Sequence, residues 1–264
     1  MSRRLQDKVI VITGASSGIG EELAMQVAEQ GAITVLIART EEKLRALKQK
    51  IETAYRTSCH YYVLDVSNEE EVERVFTQVL QDIGHIDVLV NNAGFGVFKT
   101  FADASVQEVK DIFDVNVFGL VACTKAVLTH MIEQGSGHIV NIASLAGKIA
   151  TPKSSAYAAT KHAVLGFTNS LRMELANTNI TVTAINPGPI DTNFHTIADQ
   201  SGTYVKSVGR YILKPNYVAQ QIVKAIEMKK REVNLPKWMN LGPIIFSLFP
   251  RLFERVAGKS LSKK

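Results

Sequence analysis

The sequence predicts a single α/β domain, a parallel β-sheet covered by helices on both faces, and three observations predict it. The 264 residues, 46% hydrophobic and 21% charged, fit one large core and give no compositional case for disorder. Short strands, apolar on both faces, alternate without a break with helical stretches, as in a sheet buried on either side and joined by right-handed crossovers. A glycine-rich turn stands where the first strand hands over to the first helix.

The elements follow in order. Lys8–Thr13 is a short β-branched run, and after the glycine-rich turn comes a helix over Glu21–Gln30 that Gly31 ends. Ile33–Ala38 is the second strand, and Glu41–Thr57 carries Leu44, Leu47 and Ile51 among charges, the spacing of a surface helix. Tyr61–Leu64 reads as a third strand, Glu69–Asp82 as a helix, Ile86–Val90 as a fourth strand and Val106–Gln134 as mostly helical. His138–Ile142 is the fifth strand, Ala156–Asn177 a long helix and Ile180–Ile185 the sixth strand. After Asn186-Pro-Gly-Pro189 the period is lost, and residues 189–214, with Phe194, His195, Tyr204 and Tyr211, read as a lid or binding loop. Tyr217–Lys229 resumes as a helix and Glu232–Leu235 is a last short strand. The domain therefore occupies 1–236, and 237–264 is a C-terminal extension.

The formal charge of +5 is gathered at one end of the chain. Residues 237–264 hold six basic residues against one acidic, so the main domain is balanced, which argues against nucleic acid as a partner. Cys59 and Cys123 are the only cysteines, too few for a disulfide framework and without the paired spacing of a zinc site. The expectation is a cytoplasmic protein with no metal. The apolar run behind the basic start is too short for a signal peptide, and no stretch of about 18 apolar residues offers a membrane span.

Thr13-Gly-Ala-Ser-Ser-Gly-Ile-Gly20 sits between strand and helix, so its backbone N–H groups and the helix N-terminus can receive a pyrophosphate. Gly14, Ser16, Ser17, Gly18, Ile19 and Gly20 are the contacts expected there. The glycine spacing departs from the G-x-G-x-x-G of ordinary dinucleotide folds. A ribose 2′-OH usually meets a carboxylate at the end of the second strand, whereas a 2′-phosphate needs a cation. Here Ile37-Ala-Arg-Thr40 has no carboxylate and offers Arg39, which favours NADP(H) over NAD; the bland alternative is that Arg39 is a solvated surface residue.

Further motifs follow in a fixed order: Asn91-Asn-Ala-Gly94, Asn116-Val-Phe-Gly119, Ser144, Tyr157-Ala-Ala-Thr-Lys161 and Pro187-Gly188. With the T-G-x-x-x-G-x-G turn, these resemble the short-chain dehydrogenase/reductase family over about residues 7–235. The resemblance implies a Rossmann-like sheet of about seven strands in the order 3-2-1-4-5-6-7. It implies catalysis by Asn116, Ser144, Tyr157 and Lys161, with Lys161 on the nicotinamide ribose and Asn116 holding a water in a proton path. It also implies cofactor contacts at Asp65 and Val66, at Asn91, Ala93 and Gly94, and at Pro187, Gly188, Ile190 and Thr192. Asn91 is alternatively structural, tying neighbouring strands.

The side chains support that chemistry. Tyr157 and Lys161 are four apart on a helix and so share a face, where the ammonium can approach the phenol. A nearby positive charge lowers a tyrosine pKa from about 10 toward working pH, making Tyr157 the general acid or base toward a carbonyl oxygen. Ser144 would hydrogen-bond the same oxygen. The expected reaction is hydride transfer between NADP(H) and a carbonyl or alcohol; the alternative is an NADP-binding regulatory or scaffold protein whose catalysis has lapsed.

Phe95, Val97, Phe98, Leu145 and the lid suggest an apolar pocket wall and a hydrophobic substrate. Lys148 and Lys153 either greet an anionic group or are solvated. The extension is apolar, carries the only tryptophan, is interrupted by Pro243 and Pro250, and ends basic. It either packs on its own pocket or a partner subunit, or lies on an anionic membrane surface. The resemblance implies a homodimer or homotetramer through the long helices at 106–134 and 156–177.

Overall fold

The structure is a computed structural model and describes residues 4–192, 194, 198, 209, 212–251, 253 and 255. Every residue of β1 (Val9–Thr13) is buried, because successive side chains point to opposite faces and both faces are covered. Val9 and Val11 enter one apolar cluster, Ile10 and Ile12 another. β2 (Ile33–Ala38), β3 (Cys59–Val63), β4 (Val88–Asn91), β5 (Gly137–Ile142), β6 (Ile180–Pro187) and β7 (Glu232–Leu235) complete a seven-stranded sheet ordered β3-β2-β1-β4-β5-β6-β7. Its ladders are all parallel, with Val11 opposite Val35 on one side and Leu89 on the other.

Between the strands run α1 (Gly18–Glu29), α2 (Glu41–Tyr55), α3 (Glu69–Ile83), α4 (Val106–Phe113), α5 (Leu120–Gln134) and α6 (Ser155–Glu174). α7 (Pro215–Glu227) precedes β7, and α8 (Leu241–Leu248) follows it. Leu23 and Val27 of α1, Leu44 and Ile51 of α2 and Ile222 of α7 pack on the face of Ile10 and Ile12. Phe76 of α3, Val127 of α5 and Leu171 of α6 cover the opposite face. The chain steps outward from β1 to β3 and then crosses back to β4, so the strand order reverses beside β1. The carboxyl ends of β1 and β4 therefore border a crevice, the place where open α/β sheets take their ligands.

The expected elements are present with shifted ends. α1 begins at Gly18 rather than Glu21, because the glycine-rich turn itself winds into the first helical turn. β3 begins at Cys59 rather than Tyr61, since Cys59 pairs with Thr34 of β2. The stretch from Val106 to Gln134 is helical throughout, but Asp114–Gly119 between α4 and α5 is a π-helical segment, a feature frequent at functional sites. An 18-residue window within these 29 residues reaches a mean hydropathy of 1.5, so the helix is long and apolar enough by length and composition to cross a membrane, which corrects the expectation that no such stretch exists. The apolar content has a local cause: Cys123, Val127 and Met131 are buried in the core.

Pro243 does not interrupt the extension either. It is the third residue of α8, within the first turn, where backbone N–H groups have no intrahelical partner to lose. The Phe249 N–H donates to Ile245 O at 2.8 Å and the Phe253 N–H to Phe249 O at 3.0 Å, carrying a helical course past Pro250 as well. Of the expected lid, His195, Tyr204 and Tyr211 lie outside the described residues. Its base is pinned shut, the Leu213 N–H donating to Pro189 O at 2.8 Å and the Asp191 N–H to Leu213 O at 2.9 Å.

Candidate active site

The β1–α1 turn is shaped for close approach. Gly14 and Gly18 have φ of +64° and +59°, the left-handed region that costs glycine nothing. A Cβ on Gly14 would lie 2.9 Å from Ala93 Cα, and one on Gly20 only 2.3 Å from Gly14 O. Ser17 caps α1 without a side-chain bond, leaving first-turn N–H groups for an anion such as a pyrophosphate. The turn fits a dinucleotide.

Asn92 clamps the turn to the end of β4. Its Nδ2 donates to Thr13 O at 2.9 Å and to Gly14 O at 3.1 Å. The Thr13 hydroxyl accepts the backbone N–H groups of Asn92 and Ala93, both at 3.0 Å. Asn92 and Thr13 were not among the expected site residues. Asn91 was, and its side chain is buried beneath the cleft, where it donates to Thr124 Oγ1 and Asn141 Oδ1, both at 2.9 Å, as the structural alternative expects. The expected catalytic and cofactor residues line one cleft of about 910 Å³, except Gly20, Asn91 and Asn116, which stand behind its wall.

At one end of the cleft, Arg39 follows β2 and Asp65 follows β3, and the parallel register brings them together. Arg39 Nη1 lies 3.6 Å from Asp65 Oδ2, with the Arg39 side chain 75% exposed. Burial raises the Asp65 pKa, but the Ser67 hydroxyl at 2.8 Å, its backbone N–H at 3.1 Å and the Arg39 guanidinium together hold it below the usual carboxylate range. Arg39 thus has one carboxylate partner and room for a second anion.

At the other end, Ser144 follows β5, and Tyr157 and Lys161 lie in the first two turns of α6. The Ser144 hydroxyl accepts the Ala146 N–H at 3.1 Å and donates to Pro187 O at 3.4 Å. Lys161 Nζ donates to Ile142 O at 2.9 Å and stands 5.8 Å from the centre of the Tyr157 ring. Burial pushes the Tyr157 phenol up to about 12, the Ser144 hydroxyl opposing the shift, and brings Lys161 down to about 8. The expected lowering of the tyrosine pKa is therefore absent: desolvation of the phenolate outweighs the Ser144 hydrogen bond that opposes it.

Asn116 sits in the π-helical segment. Its Nδ2 donates to Phe95 O at 2.9 Å and Thr160 Oγ1 at 3.2 Å, and its Oδ1 accepts the Phe95 N–H at 2.9 Å. A Cβ on Gly94 would come within 2.9 Å of that Oδ1 and 3.8 Å of Lys161 Nζ, so the asparagine and the lysine flank the same glycine. Asn116 holds the loop after β4 in place.

The wall around Tyr157 is aromatic. Phe98 and Phe194 meet its ring edge-on, at centroid distances of 5.7 and 5.6 Å, and meet each other at 6.2 Å. Gly96 permits this, since a Cβ there would fall 2.6 Å from Phe194 Cζ. Phe95 and Leu145 line the cleft as expected, and Val97 does not. Trp238, Met239, Ile245 and Phe253 from the extension line it too, so the tail covers the pocket of its own chain. Lys148 pairs with Glu232 of β7. Lys153 is exposed.

The short chain dehydrogenase family profile matches residues 8–201. The chain is 36% identical to the uncharacterized oxidoreductase YxnA of Bacillus subtilis, over 97% of this chain and 73% of that protein. It is 36% identical to dehydrogenase/reductase SDR family member 7B of Xenopus laevis, over 98% of this chain and 84% of that one. Among solved structures, a short chain dehydrogenase/reductase from Burkholderia phymatum in complex with NAD superposes with a TM-score of 0.86 at 25% identity, covering 94% and 96% of the two chains. An alcohol dehydrogenase from the archaeon Thermococcus sibiricus complexed with 5-hydroxy-NADP gives 0.79 at 29% identity, covering 87% and 96%.

Proposed function

The chain belongs to the short-chain dehydrogenase/reductase family of oxidoreductases, and we propose that it transfers a hydride between NADP(H) and an apolar carbonyl or alcohol. The observation that carries this reading is one continuous cleft, with the glycine cradle at one end and Ser144, Tyr157 and Lys161 at the other. When bound, the nicotinamide supplies the hydride in reduction and accepts it in oxidation.

The chain's own side chains handle the proton and the developing charge. Burial keeps the Tyr157 phenol protonated, at about 12, so the acid for ketone reduction is in hand at neutral pH. Ser144 offers a hydroxyl to the same carbonyl oxygen. Lys161, on the face of α6 that carries Tyr157, holds the cofactor ribose and stabilises the phenolate left after proton transfer. Asn116 positions the loop bearing Gly94 beside Lys161. Phe98, Phe194 and the tail exclude water and favour an apolar substrate.

The lysine sets the pH dependence. Its pKa is depressed to about 8, so its charge is complete below that pH and is lost above it. The kcat/KM for NADPH, which reports groups of the free protein, is expected to be level below pH 8 and to fall above it. A profile level well beyond that pH would remove Lys161's charge from cofactor capture.

Arg39 carries the choice of NADP(H), since its exposed guanidinium can take a 2′-phosphate in place of Asp65. Arg39→Ala is expected to lower kcat/KM for NADPH by about 10- to 100-fold, the worth of a charge-assisted contact, and to leave NADH almost unchanged. Equal losses with both cofactors would mean that Arg39 does not read the phosphate. We further propose a cytoplasmic homodimer or homotetramer joined through the helical stretch 106–134 and α6, a reading supported by the exposed Phe118 and Met173 and open to light scattering.

A further inference from the structure

The C-terminal segment has two apolar faces, and only one of them belongs to the cleft. Trp238, Met239, Leu241, Gly242, Ile245 and Phe253 line the cleft, and Phe246 packs edge-on against Phe253 at 5.3 Å. On the outer side, Ile244 and Leu248 stand four apart on a single stripe of a helix and are 54% and 65% exposed, and Leu241, which borders both this side and the cleft, is 61% exposed. Phe249, on the side of Ile245 and Phe253, and Trp238, at the rim of the cleft, are still 58% and 60% exposed. The same spacing then reaches Arg251 and Arg255, both exposed, and exposed Lys237 stands at the other end.

Soluble proteins seldom leave such a strip uncovered, and its charge selects what covers it. Six of the chain's basic residues and one acidic residue lie in 237–264, while the rest of the chain is close to neutral. An apolar stripe ending in arginines matches an interface with acyl chains beneath and negative headgroups above. A second copy of the chain would instead set one basic segment against another. We propose that the outer face of α8 docks the protein on an anionic lipid surface, with the cleft covered by the inner face of the same helix lying at the leaflet. This goes beyond the hydride-transfer reading and stands without it.

The test is co-sedimentation of the purified full chain with vesicles of phosphatidylcholine alone and of phosphatidylcholine with phosphatidylglycerol. The fluorescence of Trp238, the only tryptophan, gives a second readout. Binding is expected to the anionic vesicles and not to the neutral ones, with a blue shift of the emission and release by high salt. Ile244→Ser with Leu248→Ser is expected to weaken partitioning by roughly tenfold or more. Arg251→Gln with Arg255→Gln should weaken it by about tenfold. Thermal melting and NADPH binding should stay as in the parent, because none of the four residues lines the cleft. Sedimentation that matches a vesicle-free control would overturn the proposal. So would a serine pair that halves the particle mass in light scattering and leaves vesicle binding unaltered, which would assign the stripe to a second copy.

Discussion

Tyr157→Phe is expected to lower kcat for carbonyl reduction by about 10³-fold, within the range a positioned general acid supplies. The substitution removes one hydroxyl and keeps the ring that Phe98 and Phe194 contact at 5.7 and 5.6 Å, so packing survives. Burial already holds the phenol neutral, near 12, and phenylalanine therefore leaves no buried charge behind. Cofactor affinity should be almost unchanged, because the glycine cradle, Arg39 and Lys161 are untouched. A variant with full activity would remove Tyr157 from the chemistry, and one that lost cofactor binding in step with activity would make its role structural. Steady-state rates beside NADPH titration by fluorescence separate these cases.

The second large effect is at Ser144. Ser144→Ala is expected to lower kcat by about 10²- to 10³-fold, the loss seen when one donor to a developing oxyanion is removed. The serine also opposes the upward shift of Tyr157. Without it the phenol titrates higher still, so the rise of alcohol oxidation with pH, which follows formation of the phenolate, should move to more alkaline pH. The sign distinguishes the account from a purely packing role, which would lower the rate and leave the profile in place. The hydroxyl also accepts the Ala146 N–H at 3.1 Å, so Ser144→Thr, which keeps an acceptor, controls for local damage to the turn.

Much of this site was legible in the sequence because its chemistry is concentrated at strand ends. Strands buried on both faces are apolar throughout, and that marks the sheet; their carboxyl ends then deliver Gly14, Arg39, Asp65, Ala93, Ser144 and Pro187 to one cleft. What stayed hidden depends on facts that neither period nor composition encodes. Asn91 and Asn92 are the same residue type side by side, and only the alternation of β4 decides that the first points into the core and the second into the turn. The π-helical segment that carries Asn116 alters the helical repeat too little to break an apolar pattern. The Arg39–Asp65 pair spans two strands and needs the β2–β3 register, with Ala38 opposite Val63.

The tyrosine and the tail hold the clearest departures. A spacing of four puts Tyr157 and Lys161 on one face, but the sign of the tyrosine shift depends on how dry the site is, and burial wins. The two prolines of the extension read as breaks, yet Pro243 falls in the first turn of α8, where it is tolerated. Membrane and packing stood as alternatives for the tail. The structure gives one of its faces to the cleft and leaves the other exposed.

The most direct test of the account follows the hydride itself. Purified protein is incubated with NADPH deuterated at the transferable position of the nicotinamide and with carbonyls running from small polar ketones to long-chain keto lipids, and the products are read by mass spectrometry. The expected result is an alcohol from an apolar ketone carrying one deuterium at the former carbonyl carbon, with none formed by Tyr157→Phe. Bound NADPH with no labelled alcohol from any carbonyl would contradict the account and leave a nucleotide-binding protein in place of an enzyme.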